Sequence, residues 1–528
     1  MKKKIATKDF SRKFSHETMN RTHPKLTSKM TLTLATIAYI LLLSLTTPTK
    51  AGKVTTKPNI LLILSDDQDL TLEGMTPMRQ VLQLVGNAGA TFGRAYTSSP
   101  LCCPSRATLL SGMYAHNHGT TNNSVSGGCN GHRWRTKIES QALPVLLRDD
   151  GGYETFFAGK YLNEFYGERV PHGWTHFYGL HGNSRYYNYT LRENSKNVSY
   201  TDTYLTDLLR DKALGFLKAR NRQKPFFAMI APPASHAPFT PAERHRGAFA
   251  NIKALRTPNF NRIPLPQEKH WLVAATRALP TETVKLLDTF YQQRWETLLA
   301  VDEMVAFLVE TLTDQQELDN TYIIYTSDNG YHMGQNAQAW DKRQPYETDI
   351  RIPLLLRGPG VPKGAFIAQP TLLLDLMPTI LEWSGLNAHT EMDGLSIQSA
   401  LRRAAVDEYR RSLLVEYWGE GNSNTYNAAC PWSRADSLSQ CTPEADCHCQ
   451  DAWNNTYSCV RHFRSATDRL YCEFADWSNF VEAYDVNEDP YQIKNIGYDL
   501  LPIEHAFYGL ALANLTRCAG NKCNDINI

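Results

Sequence analysis

The chain has 528 residues, of which 42% are hydrophobic and 20% are charged, so it is long enough and apolar enough to bury a large core. Its formal net charge is only +2, so it lacks the basic surface expected of a nucleic-acid-binding protein. These values describe an ordinary folded protein with room for two or more domains.

The N-terminal segment differs from the rest of the chain. Residues 1–29 are rich in Lys, Arg, Ser and Thr, and residues 32–45 are nearly uncharged and mostly apolar. This order is typical of a secretory signal, so we expect a leader over residues 1–51 that is cleaved near Ala51. Translation from Met30 is one alternative, and a signal anchor is another, although the apolar stretch is short for a membrane span. No later segment is apolar enough to cross a bilayer, so we expect no stable membrane anchor.

Predicted strands and helices alternate after the leader. Apolar runs predict strands at 59–65, 154–158, 226–230, 322–326 and 352–356. Helical periodicity predicts helices at 77–85, 143–148, 204–219, 283–312 and 371–386, with a further helix opened by Cys102. The stretch 244–280 has several prolines and no clear period, so we expect it to be irregular. The alternation predicts an α/β fold, in which a large, mostly parallel sheet is covered by helices on both faces.

The composition changes near residue 406. Tyr, Trp, Asn and Cys become frequent, and 480–484 reads as a short strand. We therefore predict a larger domain over 52–405 and a smaller, cysteine-rich α+β domain over 406–528. Most of the cysteines lie after residue 429, which indicates disulfides or zinc. The spacing Cys447-His448-Cys449 is too tight for a standard zinc site, and a secretory leader favours disulfides, whose pairing stays open.

Several Asn-x-Ser/Thr sequences fit passage through the secretory pathway. We predict glycosylation at four of them: Asn188, Asn197, Asn454 and Asn514. Asn122 is left out of this set, because we expect it to lie near the ligand-binding site formed by the most informative run of the chain.

That run is Leu101-Cys102-Cys103-Pro104-Ser105-Arg106-Ala107. Proline is favoured in the first turn of a helix, so Cys102 is predicted to lie at a helix N-terminus, where anions bind. Arg106, one turn further on, offers a planar fork for an oxyanion. A potential nucleophile beside an anion site indicates covalent catalysis. A buried structural cysteine is the alternative interpretation.

Acidic and amide side chains follow two of the predicted strands. Asp66 and Asp67 come directly after the first strand, and Asp328 and Asn329 follow the strand at 322–326. A pair of carboxylates beside a buried strand is costly unless something neutralises it, and a hard divalent cation with oxygen ligands does so. Ordinary turn chemistry is the alternative at either site alone.

The motif Cys102-x-Pro-Ser-Arg resembles the signature of the sulfatase family, in which the first cysteine is oxidised to formylglycine (3-oxoalanine). The resemblance implies an alkaline-phosphatase-like fold, one Ca²⁺ ion, and maturation by a formylglycine-generating enzyme. The metal ligands that it implies are Asp66, Asp67, Cys102, Asp328 and Asn329. The catalytic residues that it implies are Cys102, Arg106, Lys160 of Gly-Lys, His236 of Ser-His-Ala-Pro and Lys342 of Asp-Lys-Arg.

The sequence departs from the family at one position. Many arylsulfatases carry a histidine two residues after the lysine that matches Lys160, where this chain has Leu162. Asn163, His116 and His118 are the candidates to take that place.

Further segments narrow the resemblance. Ala-Gly-Lys-Tyr-Leu-Asn-Glu, Tyr-Tyr-Asn-Tyr-Thr-Leu and Thr-Ser-Asp-Asn-Gly-Tyr-His resemble the N-acetylglucosamine-6-sulfatases and the extracellular heparan endosulfatases. The long basic insertion of the endosulfatases is missing after Leu386, which favours the first group. The resemblance implies removal of 6-O-sulfate from glucosamine residues at the ends of heparan and keratan sulfate chains, in a lysosome reached through the secretory pathway.

Three other functions are consistent with parts of this pattern. One is an extracellular heparan sulfate 6-O-endosulfatase, and another is an inactive, glycan-binding relative. The third is a phosphodiesterase of the same broader fold, which would carry Ser or Thr where this chain has Cys102.

Overall fold

The structure is a computed structural model that describes residues 57–402, 410–420, 451–464 and 467–524. The leader, the boundary near residue 405, the Cys-His-Cys run and the cysteines at 430, 441, 447 and 449 lie outside the described residues. The predictions made for them stay predictions. Within the described ranges, no helix combines the length and the apolar character needed to cross a membrane.

Strands are spread over the whole described chain. They are β1 Asn59–Ser65, β2 Ala90–Phe92, β3 Ala95–Tyr96, β4 Glu154–Lys160, β5 His176–Leu180, β6 Tyr189–Glu193, β7 Lys196–Tyr200, β8 Phe226–Ala231, β9 Thr321–Ser327, β10 His332–Met333, β11 Trp340–Asp341, β12 Leu354–Arg357, β13 Ala365–Ile367, β14 Thr371–Leu372, β15 Arg410–Tyr417, β16 Tyr457–Arg464, β17 Thr467–Phe474 and β18 Val481–Asp485.

The helices vary widely in length. The α-helices are α1 Arg79–Val81, α2 Cys102–Ser111, α3 Ala115–His118, α4 Leu143–Asp149, α5 Leu205–Ala219, α6 Trp271–Ala274, α7 Thr281–Asp314, α8 Glu347–Ile350, α9 Leu376–Trp383, α10 Gln398–Arg402 and α11 Pro502–Leu515. Single π turns lie at Leu82–Gly86 and Trp134–Ile138, and 3₁₀ turns lie at Glu139–Gln141, Glu243–His245, Leu318–Asn320, Leu373–Asp375, Trp453–Asn455, Gly497–Asp499 and Gly520–Cys523.

A large mixed sheet forms the middle layer, with the strand order β13-β2-β12-β9-β1-β8-β4-β5-β6-β7. Its centre is parallel, since β1 pairs with β8 and β9, and β4 pairs with β5 and β8. Alternate residues of β1 enter two separate cores, one with α2, α4 and α9 and the other with α5 and α7. This burial on both faces explains the continuous apolar run of β1.

The predicted α/β architecture is confirmed, and antiparallel pairs flank the parallel centre of the sheet. β12 is antiparallel to β9, and β6 is antiparallel to both β5 and β7. The turn between β6 and β7 holds only residues 194 and 195, and so short a connection allows only an antiparallel pair. The helix predicted at 371–386 begins later, because residues 371–372 form β14 and pair with β3.

A second, smaller sheet is built from the C-terminal part of the chain. It is antiparallel, with the order β15-β16-β17-β18, and α11 packs against it. The Cys459–Cys472 disulfide joins β16 and β17 at directly paired positions. The core of the smaller sheet includes Leu101 and Tyr96, so this sheet packs beside the residue that precedes α2.

Candidate active site

The ends of the central strands place the acidic residues together. Ser65 at the end of β1 pairs with Ser327 at the end of β9, so Asp66 and Asp328 leave the sheet side by side. The backbone N–H of Asp67 donates to Asp328 Oδ1 at 3.0 Å. This edge is the carboxyl end of the parallel strands, where ligands bind in sheets of this kind.

Helix α2 points its N-terminus at this edge. Leu101, in extended conformation, precedes the helix, and Gly112 at φ 68° ends it in the left-handed region that glycine favours. Cys102 is fully buried, and its Sγ lies 3.7 Å from Asp66 Oδ1 and 3.9 Å from Asp67 Oδ1. Burial raises the pKa of the Cys102 thiol to about 12, so the unmodified residue is a neutral thiol.

The two adjacent cysteines have different roles. Cys103 forms a disulfide with Cys129, whereas Cys102 is the free cysteine of the described residues. The disulfide therefore occupies the thiol of Cys103, and the thiol of Cys102 stays free.

Buried cations hold the carboxylates. Arg106 Nη2 lies 2.8 Å from Asp328 Oδ2, and Lys160 Nζ lies 2.8 Å from Asp66 Oδ2. Burial alone would raise the pKa of Asp66, but Lys160 and Arg106 outweigh burial and hold that pKa well below its ordinary value. The site is therefore a balanced cluster of charges from which water is largely excluded.

Lys342 completes the cationic side of the site. Its Nζ lies 2.6 Å from Asp67 Oδ2, and β11 and the residues after it carry it to this position. Burial alone would lower the pKa of Lys342, but the contact with Asp67 raises it well above its ordinary value. Lys342 is thus fully protonated at any working pH.

The donor set fits a hard divalent cation. Ligand atoms of Asp66, Cys102 and Asp328 all lie within 4.8 Å of one another. Asn329 Nδ2 donates to Asp67 Oδ1 at 2.7 Å, while the buried Asn329 Oδ1 accepts no hydrogen bond from the described residues. Burial raises the pKa of Asp328 to about 7, with Asp66 and Asp67 adding to it against Arg106. A calcium ion would coordinate the unpaired oxygen of Asn329 and neutralise the neighbouring carboxylates.

His236 lies on the rim of the cluster. Its Nε2 is 3.7 Å from Asp67 Oδ2, and its Nδ1 lies 2.7 Å from the carbonyl of Ala237. Burial lowers the pKa of His236 to about 4, so this side chain is neutral above that pH. The structure thus brings together every residue that the family resemblance implied.

Sequence reasoning missed Ser184. It lies in the loop after β5, and its hydroxyl donates to Asp66 Oδ2. Nothing in the local sequence marks this serine, because the contact depends on how the loop returns to the sheet edge.

The histidines considered as replacements for the missing family histidine have other contacts. His118 Nε2 lies 3.0 Å from Thr108 Oγ1, and its Nδ1 accepts from the N–H of Thr120 at 3.0 Å. His116 is held by Glu416 and by the carbonyl of Cys518. Both histidines therefore anchor the chain around α2. Asn163 is 7% exposed and stays a candidate.

The predicted glycan acceptors differ in exposure. Asn188, Asn197 and Asn514 are exposed, as a glycan requires. Asn454 is only 1% exposed, so the folded chain disfavours a glycan there. Asn122 is also buried, and its side chain accepts from Ser124.

Comparisons with known proteins agree with this geometry. A family model described as Sulfatase matches residues 58–386. N-acetylglucosamine-6-sulfatase of Homo sapiens is 44% identical over 481 residues, which cover 89% of this chain and 86% of the human protein. Extracellular sulfatase SULF-1 homolog of Drosophila melanogaster is 37% identical over 373 residues, which cover 69% of this chain and 33% of the fly protein.

A solved structure shows the same fold. It is a protein in complex with its substrate D-glucosamine-2-N,6-O-disulfate, and it matches with a TM-score of 0.68 at 23% sequence identity. The match covers 89% of this chain and 99% of that chain.

Proposed function

Because the chain belongs to the sulfatase family and is a sulfuric ester hydrolase, we propose that it removes the 6-O-sulfate of N-acetylglucosamine and glucosamine residues in heparan and keratan sulfate. The observation that carries this proposal is the position of Cys102 Sγ, within 4 Å of Asp66 and Asp67 at the N-terminus of α2. The identity to N-acetylglucosamine-6-sulfatases supports the choice of sugar.

Two groups implied by the family would complete the site. Formylglycine at Cys102 would supply a hydrated aldehyde, whose hydroxyl is the nucleophile toward sulfur. Calcium held by Asp66, Asp67, Asp328 and Asn329 would supply Lewis-acid polarisation of the sulfate oxygens. Since Cys102 is fully buried, a formylglycine-generating enzyme can reach it only before the fold closes.

The residues of the chain stabilise the charge that develops on sulfate during transfer. Arg106, Lys160 and Lys342 are buried cations around Cys102, and preorganised cations are most effective where water is excluded. Their contacts with the carboxylates hold them in place before substrate arrives, so little reorganisation is needed during the reaction.

Proton transfer needs an acceptor and a donor. We assign the acceptor to Asp328, because its carboxylate lies within 4.8 Å of Cys102 Sγ and bound calcium would keep it ionised. His236 and Lys342 are the two candidate donors to the leaving sugar oxygen. We assign this role to Lys342, since burial keeps His236 neutral above about pH 4.

We propose a lysosomal location, reached through the secretory pathway. The basic and apolar leader supports this proposal, as do the disulfides Cys103–Cys129, Cys459–Cys472 and Cys518–Cys523, which form in oxidising compartments. Secretion to the outside of the cell is the alternative, and fractionation of cells that express the full chain separates the two.

The activity is tested with defined saccharides. Purified protein should release sulfate from 6-sulfated N-acetylglucosamine, and not from 3-sulfated or N-sulfated glucosamine. Cys102→Ala is the matched inactive control. On a sulfated oligosaccharide, loss of sulfate from the chain end alone supports the proposed action. Loss from interior units points to an endosulfatase, and no release from any substrate points to an inactive relative.

A further inference from the structure

A wide cleft of about 790 Å³ opens beside the candidate active site. One wall is the loop of residues 181–188, between β5 and β6, and the other is formed by Ala237, Pro238 and Thr240. The assigned reaction does not use this space.

Both walls are extensions of active-site segments. Ser184, on the first wall, donates to Asp66, and the second wall directly follows His236, which faces Asp67. Tyr186 ties the walls together, because its buried hydroxyl contacts the carbonyls of Pro233 at 3.2 Å and His236 at 2.7 Å. A ligand that extends outward from the reacting sulfate would therefore meet a cleft with walls that are already in place.

The lining of the cleft combines one arginine with several tyrosines. It contains no Asp or Glu, and its one arginine, Arg185, is exposed. Arg185 reaches the carbonyl of Asn188 at 3.5 Å and forms no ion pair with the described residues. Tyr166 also lines the cleft and is 56% exposed. A guanidinium without an ion-pair partner, in a cleft that also exposes a tyrosine ring, is suited to an acidic sugar.

We propose that this cleft binds the sugar that adjoins the sulfated glucosamine, and that Arg185 pairs with the carboxylate or sulfate of that sugar. The inference rests on the proposed function and adds a second recognition site to it. It makes Arg185 a specificity-determining residue that acts on longer saccharides and not on the isolated monosaccharide.

The first test separates KM from kcat. Arg185→Gln is compared with Arg192→Gln, a matched control on β6 outside the cleft, whose side chain also contacts a backbone carbonyl. On a disaccharide of 6-sulfated N-acetylglucosamine and a uronic acid, Arg185→Gln should raise KM about tenfold with little change in kcat. On the monosaccharide, neither variant should change KM. All proteins come from one host, so that the predicted glycan at Asn188 is the same in each.

Substrate analogues identify the group that Arg185 recognises. When the uronic carboxylate of the disaccharide is reduced to an alcohol, Arg185→Gln should no longer change KM. A second disaccharide, with galactose in place of the uronic acid, tests recognition of sulfate. Its KM should depend on Arg185 only when the galactose carries a 6-sulfate. If Arg185→Gln leaves KM unchanged on both acidic disaccharides, or raises it equally on the monosaccharide, the proposal is overturned.

A binding measurement distinguishes this proposal from the proposed function. Calorimetry with Cys102→Ala and with Cys102→Ala/Arg185→Gln gives the Kd of the acidic disaccharide without turnover. A Kd about tenfold weaker in the double variant supports the subsite, even if the wild-type protein releases no sulfate and the proposed function fails. Equal Kd values contradict the subsite, whatever the activity.

Discussion

At the residue scale, the site depends on Cys102. We expect Cys102→Ala to lower sulfate release by at least about 10⁴-fold, because the remaining residues can hold a sulfate ester but supply no nucleophile. The melting temperature should change little, since a small buried side chain is replaced by a smaller one. Mass spectrometry of the wild-type peptide that contains residue 102 should show the aldehyde. An active protein that retains the thiol would contradict the assignment.

Replacement by serine gives a sharper result. In a hydrated aldehyde, the first hydroxyl accepts the sulfate and the second expels it as the aldehyde re-forms. Cys102→Ser has only one hydroxyl, so it lacks the group that would release the sulfate. We expect either a stable sulfated protein, detected as an added mass on that peptide, or no reaction at all. Sustained turnover by this variant would rule out the proposed chemistry.

The calcium site makes a separate prediction. Calcium should raise the melting temperature of the wild-type protein, because a ligand that binds only the folded state stabilises it, by about 2.7 kcal/mol at 100 times Kd. We expect Asn329→Ala to weaken calcium binding at least about tenfold, since it removes an oxygen ligand and a donor to Asp67. Asn259→Ala, another buried amide, is the control and should retain the calcium response. An equal response in both variants would place the ion elsewhere.

The sequence predicted the residues that the structure brings together, because each belongs to a short motif at a strand end or a helix start. Asp66, Asp67, Asp328 and Asn329 follow apolar strands, and Cys102 precedes a proline in a helix. Ser184 lies outside any such motif, and its contact with Asp66 depends on tertiary structure. The protonation state of His236 also could not be predicted, since its low pKa results from burial that the sequence does not reveal.

At the element scale, a buried cluster of ion pairs joins the smaller sheet to α8. Arg461 on β16 is 1% exposed, its Nη1 lies 2.6 Å from Glu347 in α8, and its Nε contacts Asp468 on β17. We expect Arg461→Met to lower the free energy of unfolding by about 3–5 kcal/mol, because Glu347 and Asp468 would remain buried after losing the cation that they share. Denaturant unfolding measures the change.

The control for this cluster neutralises all three side chains. Arg461→Met/Glu347→Gln/Asp468→Asn leaves no buried carboxylate without its cation, so it should recover a large part of the lost stability. Purely additive losses from the three single substitutions would show that the cluster does not act as a unit.

The elements with a long apolar run or a clear helical period were the ones that the sequence predicted well. β1, β8 and β9 are continuous apolar runs, and α7 was expected as one or two helices and is a single helix. The short strands β2 and β13, at one end of the large sheet, were missed, because each has three residues and no alternation of its own. Their strand character comes from pairing with neighbours, which is a property of the sheet and not of the segment.

At the scale of the whole molecule, the ionisation of one buried acidic residue, which lies in the segment before β16, affects folding. Asp451 is 2% exposed, and its Oδ2 has no hydrogen-bond partner among the described residues. Burial raises its pKa to about 7, with Glu420 and Asp341 adding to the shift and Arg343 opposing it. The folded protein therefore keeps this carboxyl protonated at a pH where the unfolded chain has lost the proton.

The sign of the pH dependence follows from this difference. Between about pH 4 and pH 7, the folded state binds more protons at Asp451 than the unfolded state, so the free energy of unfolding falls as pH rises. From pH 5 to pH 7.5 the loss should be on the order of 2 kcal/mol.

We expect Asp451→Asn to flatten the pH profile of the free energy of unfolding over this range, because an amide is neutral in both states. Asp499→Asn, on the exposed surface, should keep the wild-type slope. Unfolding is measured with calcium present, which keeps Asp328 ionised, and an unchanged slope in Asp451→Asn would show that another group governs stability in acid.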